Sequence, residues 1–165
     1  MQALCERSAE RGYRQFFLGG GPGVAEQLAA NLQRRHPGLM VAGVSCPPFR
    51  ALSDEEEAAL IDSINASGAD IVWVGLGSPK QDLWMARLRA RLEAPLLVGV
   101  GAAFDFHTGR IAQAPRWMQR SGLEWAFRLA SEPRRLWRRY LIYNPKFVLS
   151  LGGFLLRRAL SPAQS

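Results

Sequence analysis

The sequence predicts an α/β fold with a mainly parallel sheet flanked by helices, followed by a basic helical C-terminal appendage. Short apolar runs that end in glycine alternate with segments whose apolar residues recur at helical spacing, which is typical of βαβ units. The charge is uneven, since residues 1–104 carry 10 Lys and Arg against 11 Asp and Glu, whereas residues 105–165 carry 11 against 3. We therefore expect a Rossmann-like core over residues 1–110 and the basic appendage over residues 111–160.

The first half of the core shows one complete strand, turn and helix. The first predicted strand is the apolar run Arg14–Leu18, which ends in the glycine turn Gly19–Gly23. Apolar residues at helical spacing predict a helix over Val24–Arg35, and the breaker sequence His36–Gly38 ends it. The second predicted strand is Leu39–Val44.

The second half of the core repeats this alternation. Ser53 is the expected cap of the next helix, and the acidic run Asp54–Glu57 lies at the positive end of the helix dipole. The third predicted strand is Asp70–Gly77. A helix over Ser78–Leu92, with its proline in the first turn, leads to a fourth strand over Pro95–Gly101.

After residue 109 the strand pattern ends, and helices rich in Arg and Trp are expected. No run has the roughly 18 apolar residues of a spanning helix, and the N-terminal residues lack a signal-peptide pattern. Cys5 and Cys46 have no disulfide or metal-ligand spacing, so we expect reduced cysteines, no metal site and a cytoplasmic protein. The last residues, Ser161–Ser165, are expected to be disordered.

Three strand ends carry residues that suit an anionic ligand. They are Gly19–Gly21, Gly75–Asp82 and Gly101–Asp105. The carboxyl ends of parallel strands lie at one edge of a sheet, where glycine N–H groups and helix N-termini favour a diphosphate. Lys80 and Gln81 are expected in the first turn of a helix, within reach of such a ligand.

Each of these residues also has a purely structural interpretation. The glycine cluster can be a tight turn, because it is neither a P-loop nor a complete dinucleotide-binding fingerprint. Asp105 can cap a turn, while Lys80 and Gln81 can belong to a solvated helix turn. His107 has no companion at catalytic spacing and is expected to be structural. Composition and spacing thus indicate a nucleotide- or phosphate-binding α/β domain with a basic tail.

Several longer segments add a resemblance to this interpretation. They are Gly75–Trp84, Gly99–Gly109, Ala114-Pro115, Gly122–Trp125, Arg128-Leu129 and Glu132–Tyr140. In this order they resemble the successive signatures of the WecG/TagA/CpsF glycosyltransferase family, over about residues 12–140.

The resemblance implies an inverting, metal-independent glycosyltransferase without a cofactor. Its donor is a UDP-sugar carrying N-acetylmannosamine or another hexose, and its acceptor is a polyprenyl-diphosphate-linked saccharide. Products of such enzymes include teichoic acid linkage units and exopolysaccharides. The implied location is peripheral, on the inner face of a bacterial cytoplasmic membrane.

Residue roles are carried over motif by motif. Gln81 is implied to contact the donor sugar or diphosphate, and Asp105 to hold the nucleoside. The residues implied to complete the donor site are Gly19, Gly20, Gly21, Gly77, Ser78 and Lys80. The arginines implied to meet the acceptor diphosphate or an anionic membrane surface are Arg134, Arg135, Arg138 and Arg139. Leu136, Trp137 and Tyr140, with the apolar residues after them, suit a bilayer surface.

The chain departs from the family in two places. The family's presumed catalytic base is the aspartate of an Asp-Gly motif in an N-terminal part that this chain is expected to lack. The catalytic residue is therefore unknown, and the chain alone is expected to be inactive. Without that part a sheet edge would be exposed, on which copies can pair as a homo-oligomer. The family's Gly-Tyr element after the second strand is replaced by Pro47-Pro48-Phe49.

A non-enzymatic nucleic-acid-binding module is the alternative from another class, because the tail is basic and rich in tryptophan. The tail has no known reader motif, and its arginines alternate with large aliphatic residues. We therefore expect no nucleic-acid partner.

Overall fold

The computed structural model describes residues 1–101, 103–109 and 114–151. The strands are β1 (Arg14–Gly19), β2 (Met40–Ser45), β3 (Ile71–Gly75) and β4 (Leu96–Gly99). The helices are α1 (Gln2–Arg11), α2 (Val24–Arg35), α3 (Asp54–Ala66), α4 (Lys80–Leu88), α5 (Ala103–His107), α6 (Arg116–Arg120), α7 (Glu124–Ser131) and α8 (Pro133–Arg138). The predicted disorder of Ser161–Ser165 lies outside the described residues.

The four strands form one parallel sheet in the order β2-β1-β3-β4. Helices cover it, so the predicted α/β, Rossmann-like class is confirmed. The strand order itself was not predicted from the sequence. In the register of β1 and β3, Gly19 lies opposite Gly75, so the two strands end level with each other.

Alternation along the strands builds a hydrophobic core on each face of the sheet. On one face, Phe16 and Leu18 of β1 pack with α3 and α4. On the other face, Phe17 of β1 packs with α1, α2 and the fully buried Phe104 of α5. Helices α2 and α4, which follow β1 and β3, therefore lie on opposite faces.

The structure differs from the sequence prediction at the ends of several elements. The predicted helix over Ser78–Leu92 begins only at Lys80, with Pro79 as its N-cap. The peptide bond between Ser78 and Pro79 is cis. It ends at Leu88, where the chain tightens into a 3₁₀ turn over Arg89–Arg91. The third and fourth strands are each shorter than predicted.

Helix α1 was not predicted at all. Its sequence is mostly polar, and the buried positions are Cys5 and Ser8. The Ser8 hydroxyl donates to the Leu4 carbonyl oxygen at 2.6 Å, which satisfies this buried polar group within the helix. A short helix with so narrow an apolar face gives little periodic signal.

The chain divides into two compact units, Met1–Ala112 and Gln113–Ser165. The described part of the second unit contains α6, α7 and α8, then a π-helix over Arg139–Tyr143 and a further helix over 144–151. Within this unit the rings of Trp125 and Tyr140 lie 5.9 Å apart. Over the described residues, no helix combines the length and apolar character that crossing a membrane requires.

Candidate functional site

The candidate site lies where the turns after β1 and β3 diverge. These strands are neighbours, but their following helices pack on opposite faces of the sheet. Such a divergence opens a crevice at the carboxyl ends of the strands, which is where open α/β sheets bind ligands. The structure places the candidate residues Gly19, Gly20 and Gly21 on one side of this crevice, and Gly77 and Ser78 on the other.

The two strand ends touch through glycine backbone. The Gly20 N–H donates to the Gly75 carbonyl oxygen at 3.1 Å, which extends the ladder beyond β1. A Cβ at Gly19 would lie 2.7 Å from the Gly75 carbonyl carbon, and the Gly19 φ is +114°. A side chain at Gly19 would therefore collide with backbone as well as strain its own. Gly19 and Gly20, two of the four glycines predicted for the donor site, thus form the floor of the crevice.

Helices α2 and α4 both begin beside this floor without a side-chain cap. The N-cap residues are Gly23 and Pro79, and neither makes a capping hydrogen bond. Helix α3, in contrast, carries a complete capping box formed by Ser53 and Glu56. Two first-turn N–H groups are occupied, because Val24 donates to the Gly21 carbonyl oxygen at 3.0 Å and Gln81 donates to the Gly77 carbonyl oxygen at 2.9 Å. Both helix starts still present the partial positive end of the helix dipole to an anionic ligand.

The side chains at the start of α4 have different surroundings. Lys80 is exposed. Gln81 is only 6% exposed, and its Oε1 accepts the Gly101 N–H at 2.9 Å. Ser78 donates to Asp82 Oδ2 at 2.7 Å. The structure thus gives Gln81 a positioning contact, because it fixes the turn after β4 against α4.

Asp105 lies at the third of the predicted strand ends, half-buried in the short helix α5. The neighbouring Phe104 anchors this helix, since its ring is fully buried and meets Phe17 edge-on at 6.2 Å. Thr108 closes the helix by donating to the Phe104 carbonyl oxygen at 2.9 Å. Because β4 is next to β3 in the sheet, Asp105 follows the strand end adjacent to the glycine crevice.

His107 links α5 to α2 through its backbone. Its backbone carbonyl accepts from Asn31 of α2 at 3.1 Å, which ties α5 to the helix beside it. Burial, and then the charge of Arg35, lower the pKa of the imidazole. The ring is therefore held in its neutral form more strongly than an exposed histidine.

A cavity of about 470 Å³ opens beside the crevice, next to α3 and α4. Gly20 and Leu76 contribute to it from the strand ends, and Lys80 contributes from the first turn of α4. The loop 47–52 after β2 contributes Pro47, Pro48, Phe49 and Leu52. Leu83 and Trp84 complete its apolar wall from α4. The sequence prediction missed this cavity, although the Pro-Pro-Phe run after the second strand was an unusual feature.

Most charges around the cavity are paired. Glu57, 8% exposed, meets Arg87 in a short contact and Arg91 at 3.6 Å. Arg50 makes two hydrogen bonds to Glu56, both of 2.6 Å. In the parts of the chain that the structure describes, Lys80 forms no ion pair, so its charge remains uncompensated at the cavity wall.

The four candidate arginines lie close together along the second unit. Arg134 and Arg135 belong to α8, Arg138 ends it, and Arg139 begins the π-helix. The Arg138 guanidinium lies 5.4 Å from the centre of the Trp137 ring, within cation–π range. Large apolar side chains are exposed further along this unit, at Leu141, Tyr143, Phe147, Val148 and Leu149.

Comparison with known protein families agrees with this description. The model of the Glycosyl transferase WecG/TagA/CpsF family matches residues 1–163, a longer span than the 12–140 over which the motifs were recognised. The match thus includes α1 and the β2 loop as well as the motif-bearing strand ends. The chain accordingly belongs to the WecG/TagA/CpsF family, whose members are glycosyltransferases of cell-surface polysaccharide synthesis.

Proposed function

We propose that the first unit binds the UDP-sugar donor of an inverting, metal-independent glycosyltransferase. The transferred sugar is of the N-acetylmannosamine type or another hexose, and the acceptor is a polyprenyl-diphosphate-linked saccharide. The observation that carries this proposal is the glycine crevice between β1 and β3, beside which two helices begin without side-chain caps. A family of glycosyltransferases and a crevice suited to a diphosphate together favour a sugar nucleotide.

The donor diphosphate is placed between the N-termini of α2 and α4. Each helix contributes the partial positive charge of its first turn, and Lys80 adds a full positive charge. These charges also favour the reaction itself. As the bond between the anomeric carbon and the UDP oxygen breaks, negative charge grows on the leaving diphosphate, where donors already aimed at it lower the barrier.

The nucleoside is placed over the end of β4, next to Asp105. Its carboxylate can accept hydrogen bonds from ribose hydroxyls or from a base N–H, because an ionised carboxylate is an acceptor only. Gln81 positions the turn after β4 for this arrangement, since its Oε1 accepts a hydrogen bond from the Gly101 N–H. We expect its Nε2 to be the part that can reach the donor.

The acceptor is assigned to the second unit. Arg134, Arg135, Arg138 and Arg139 supply guanidinium groups that suit a diphosphate or anionic headgroups. The exposed apolar residues after them suit a bilayer surface on the inner face of the membrane.

The transfer step needs a base that this proposal assigns to no residue of the chain. The acceptor hydroxyl attacks the anomeric carbon from the side opposite UDP, so a new glycosidic C–O bond forms while the old one breaks. The base takes the hydroxyl proton, and UDP leaves as the anion. The binding roles of Lys80 and Asp105 can be tested without this step.

Calorimetric titration with UDP tests the donor site. Lys80→Met and Asp105→Asn are each expected to weaken UDP binding about tenfold, as for the loss of one charge-assisted hydrogen bond. The control is Asp62→Asn, which removes an exposed carboxylate of α3 away from the crevice. Equal UDP affinity in all four proteins, or no binding by the folded wild-type chain, would contradict the proposal.

A further inference from the structure

Cys46 contacts the floor of the crevice from the β2 side of the sheet. It directly follows β2, and its thiol donates to the Gly20 carbonyl oxygen, with 3.1 Å between the sulfur and the oxygen. We infer that Cys46 is a positioning residue of the donor site, which fixes the peptide between Gly20 and Gly21 so that the Gly21 N–H is aimed at the donor diphosphate. The inference rests on the proposed function, because it takes a UDP-sugar to occupy the crevice.

The place of Cys46 follows from the sheet register and from the proline after it. Leu18 of β1 pairs with Ser45 of β2, so Cys46 follows at the level of Gly19. Pro47 restricts the residue before it to extended backbone, which continues the direction of β2. Cys46 is half-buried, so water competes less strongly for the Gly20 carbonyl oxygen than it would at an open surface.

The peptides on either side of the one between Gly20 and Gly21 have partners of their own. The Gly20 N–H donates to the Gly75 carbonyl oxygen at 3.1 Å, which fixes the peptide before Gly20. The Gly21 carbonyl oxygen accepts from the Val24 N–H at 3.0 Å, which fixes the peptide after Gly21. The Cys46 thiol supplies a partner for the peptide between them.

A peptide bond between two glycines has few steric restraints on its orientation. Neither Gly20 nor Gly21 has a Cβ, so a change of ψ at the first and of φ at the second can turn the peptide plane while the flanking peptides stay in place. Without the thiol, the Gly20 carbonyl oxygen would find hydrogen-bond partners by turning towards water in the open crevice. The hydrogen bond from Cys46 therefore selects the other orientation.

The selected orientation suits an anionic ligand. In a trans peptide the N–H points opposite to the C=O, so the Gly21 N–H points away from Cys46. Because β1 lies between β2 and β3, this direction is towards the β3 side, where the crevice opens. A backbone N–H aimed there can donate to a phosphate oxygen. In the opposite orientation, the Gly20 carbonyl oxygen would face the diphosphate and repel it.

Calorimetric titration of three variants with UDP tests the inference. Cys46→Ser keeps a hydroxyl donor, and its UDP affinity is expected to stay within about twofold of wild type. Cys46→Val fills the same space without a donor, and Cys46→Ala removes the donor and the volume. Both are expected to weaken UDP binding about three- to fivefold, up to the worth of one hydrogen bond. Cys5→Ala is the matched control, since it removes the other thiol of the chain, which faces Gln15 from α1.

Uridine, which lacks the diphosphate, separates positioning from a general loss of structure. Its affinity, measured by NMR titration, should be the same in wild type and in Cys46→Val. A fall in uridine affinity as large as the fall for UDP would overturn the inference. So would a loss of UDP affinity in Cys46→Ser or Cys5→Ala equal to that in Cys46→Val. If wild type binds UDP and Cys46→Val binds it as tightly, the inference alone is wrong. If the folded wild-type chain binds no UDP, the proposed function is wrong and the inference falls with it.

Discussion

Gln15 shows how a single side chain joins elements inside the first unit. It lies fully buried in β1, where its Oε1 accepts the Trp73 indole N–H at 2.7 Å and faces the Cys5 thiol at 3.6 Å. Within the described chain its Nε2 has no hydrogen-bond partner. The Gln15 amide therefore has a satisfied oxygen and an unsatisfied nitrogen. Its oxygen contacts Trp73 of β3 and Cys5 of α1, which fixes how these elements pack against β1.

Burial also sets the chemistry of Cys5. It raises the pKa of this thiol to about 11, since a thiolate would lose its hydration there. Cys5 is therefore held as a neutral thiol at physiological pH.

Two glycines of the crevice are constrained in different ways: Gly77 by its backbone conformation alone, and Gly19 also by contact with neighbouring backbone. Gly77 has a φ of +78° and open space around it, so Gly77→Ala should cost about 1–3 kcal/mol of unfolding free energy from backbone strain. Gly19→Ala adds a collision with the Gly75 backbone and should cost about 1–3 kcal/mol more. Urea unfolding of both variants measures the difference. Equal losses would show that the strand ends can separate freely.

At the scale of elements, the start of α3 predicts a response to acid. Hydrogen bonds from Arg50, and then from the Ser53 backbone, lower the pKa of Glu56 from 4.5 to about 2. The ionised carboxylate thus stabilises the fold fully above about pH 4.5, and this contribution is lost as the pH falls towards about 2. Glu56→Gln should flatten this part of the stability profile.

The measurement is urea unfolding followed by circular dichroism between pH 2 and pH 6. Glu10→Gln is the control, because Glu10 is exposed on α1 and has no ion pair among the described residues. Ser53→Ala should cost about 1 kcal/mol at every pH, as for the loss of a helix cap. A profile for Glu56→Gln that matches wild type would show that the Arg50 pair does not form.

The elements also show what the sequence could reveal. All four strands were predicted because each is a short apolar run, and β1, β3 and β4 also end in glycine. Both signals depend on the local sequence alone. Helix α1 was missed because its buried face consists of little more than Cys5 and Ser8. The end of α4 was misplaced because residues 89–92 have helical spacing, while the chain there turns through a 3₁₀ segment.

The positions of the candidate site residues in the fold were predictable in part for a similar reason. Glycine turns and first-turn residues are local features, so their positions at the strand ends followed from the parallel sheet. The cavity depends on which loop lies beside which strand, and that follows from the strand order, which local spacing does not encode. The contact between Gln81 and Gly101 is likewise a product of tertiary packing.

At the scale of the whole molecule, the excess of Arg and Lys in residues 105–165 predicts that this part of the chain binds an anionic membrane. Arg134→Ala with Arg138→Ala should weaken binding to vesicles of anionic lipid roughly 30-fold at low salt, at about 1 kcal/mol for each charge. Arg7→Ala with Arg11→Ala is the matched control, since both arginines are exposed on α1 in the first unit. Vesicle flotation measures the bound fraction. Equal losses in the two pairs would indicate attraction by net charge alone.

The contact between the ends of β1 and β3 has a consequence for how such an enzyme can change over time. The floor of the crevice, beside the groups proposed to bind the diphosphate, consists of glycine backbone. A side chain at Gly19 would collide with the Gly75 backbone, so substitutions there are poorly tolerated. The 47–52 loop follows β2, lies beside that floor and carries exposed side chains. Substitutions are therefore easier to accommodate in the 47–52 loop than at the ends of β1 and β3.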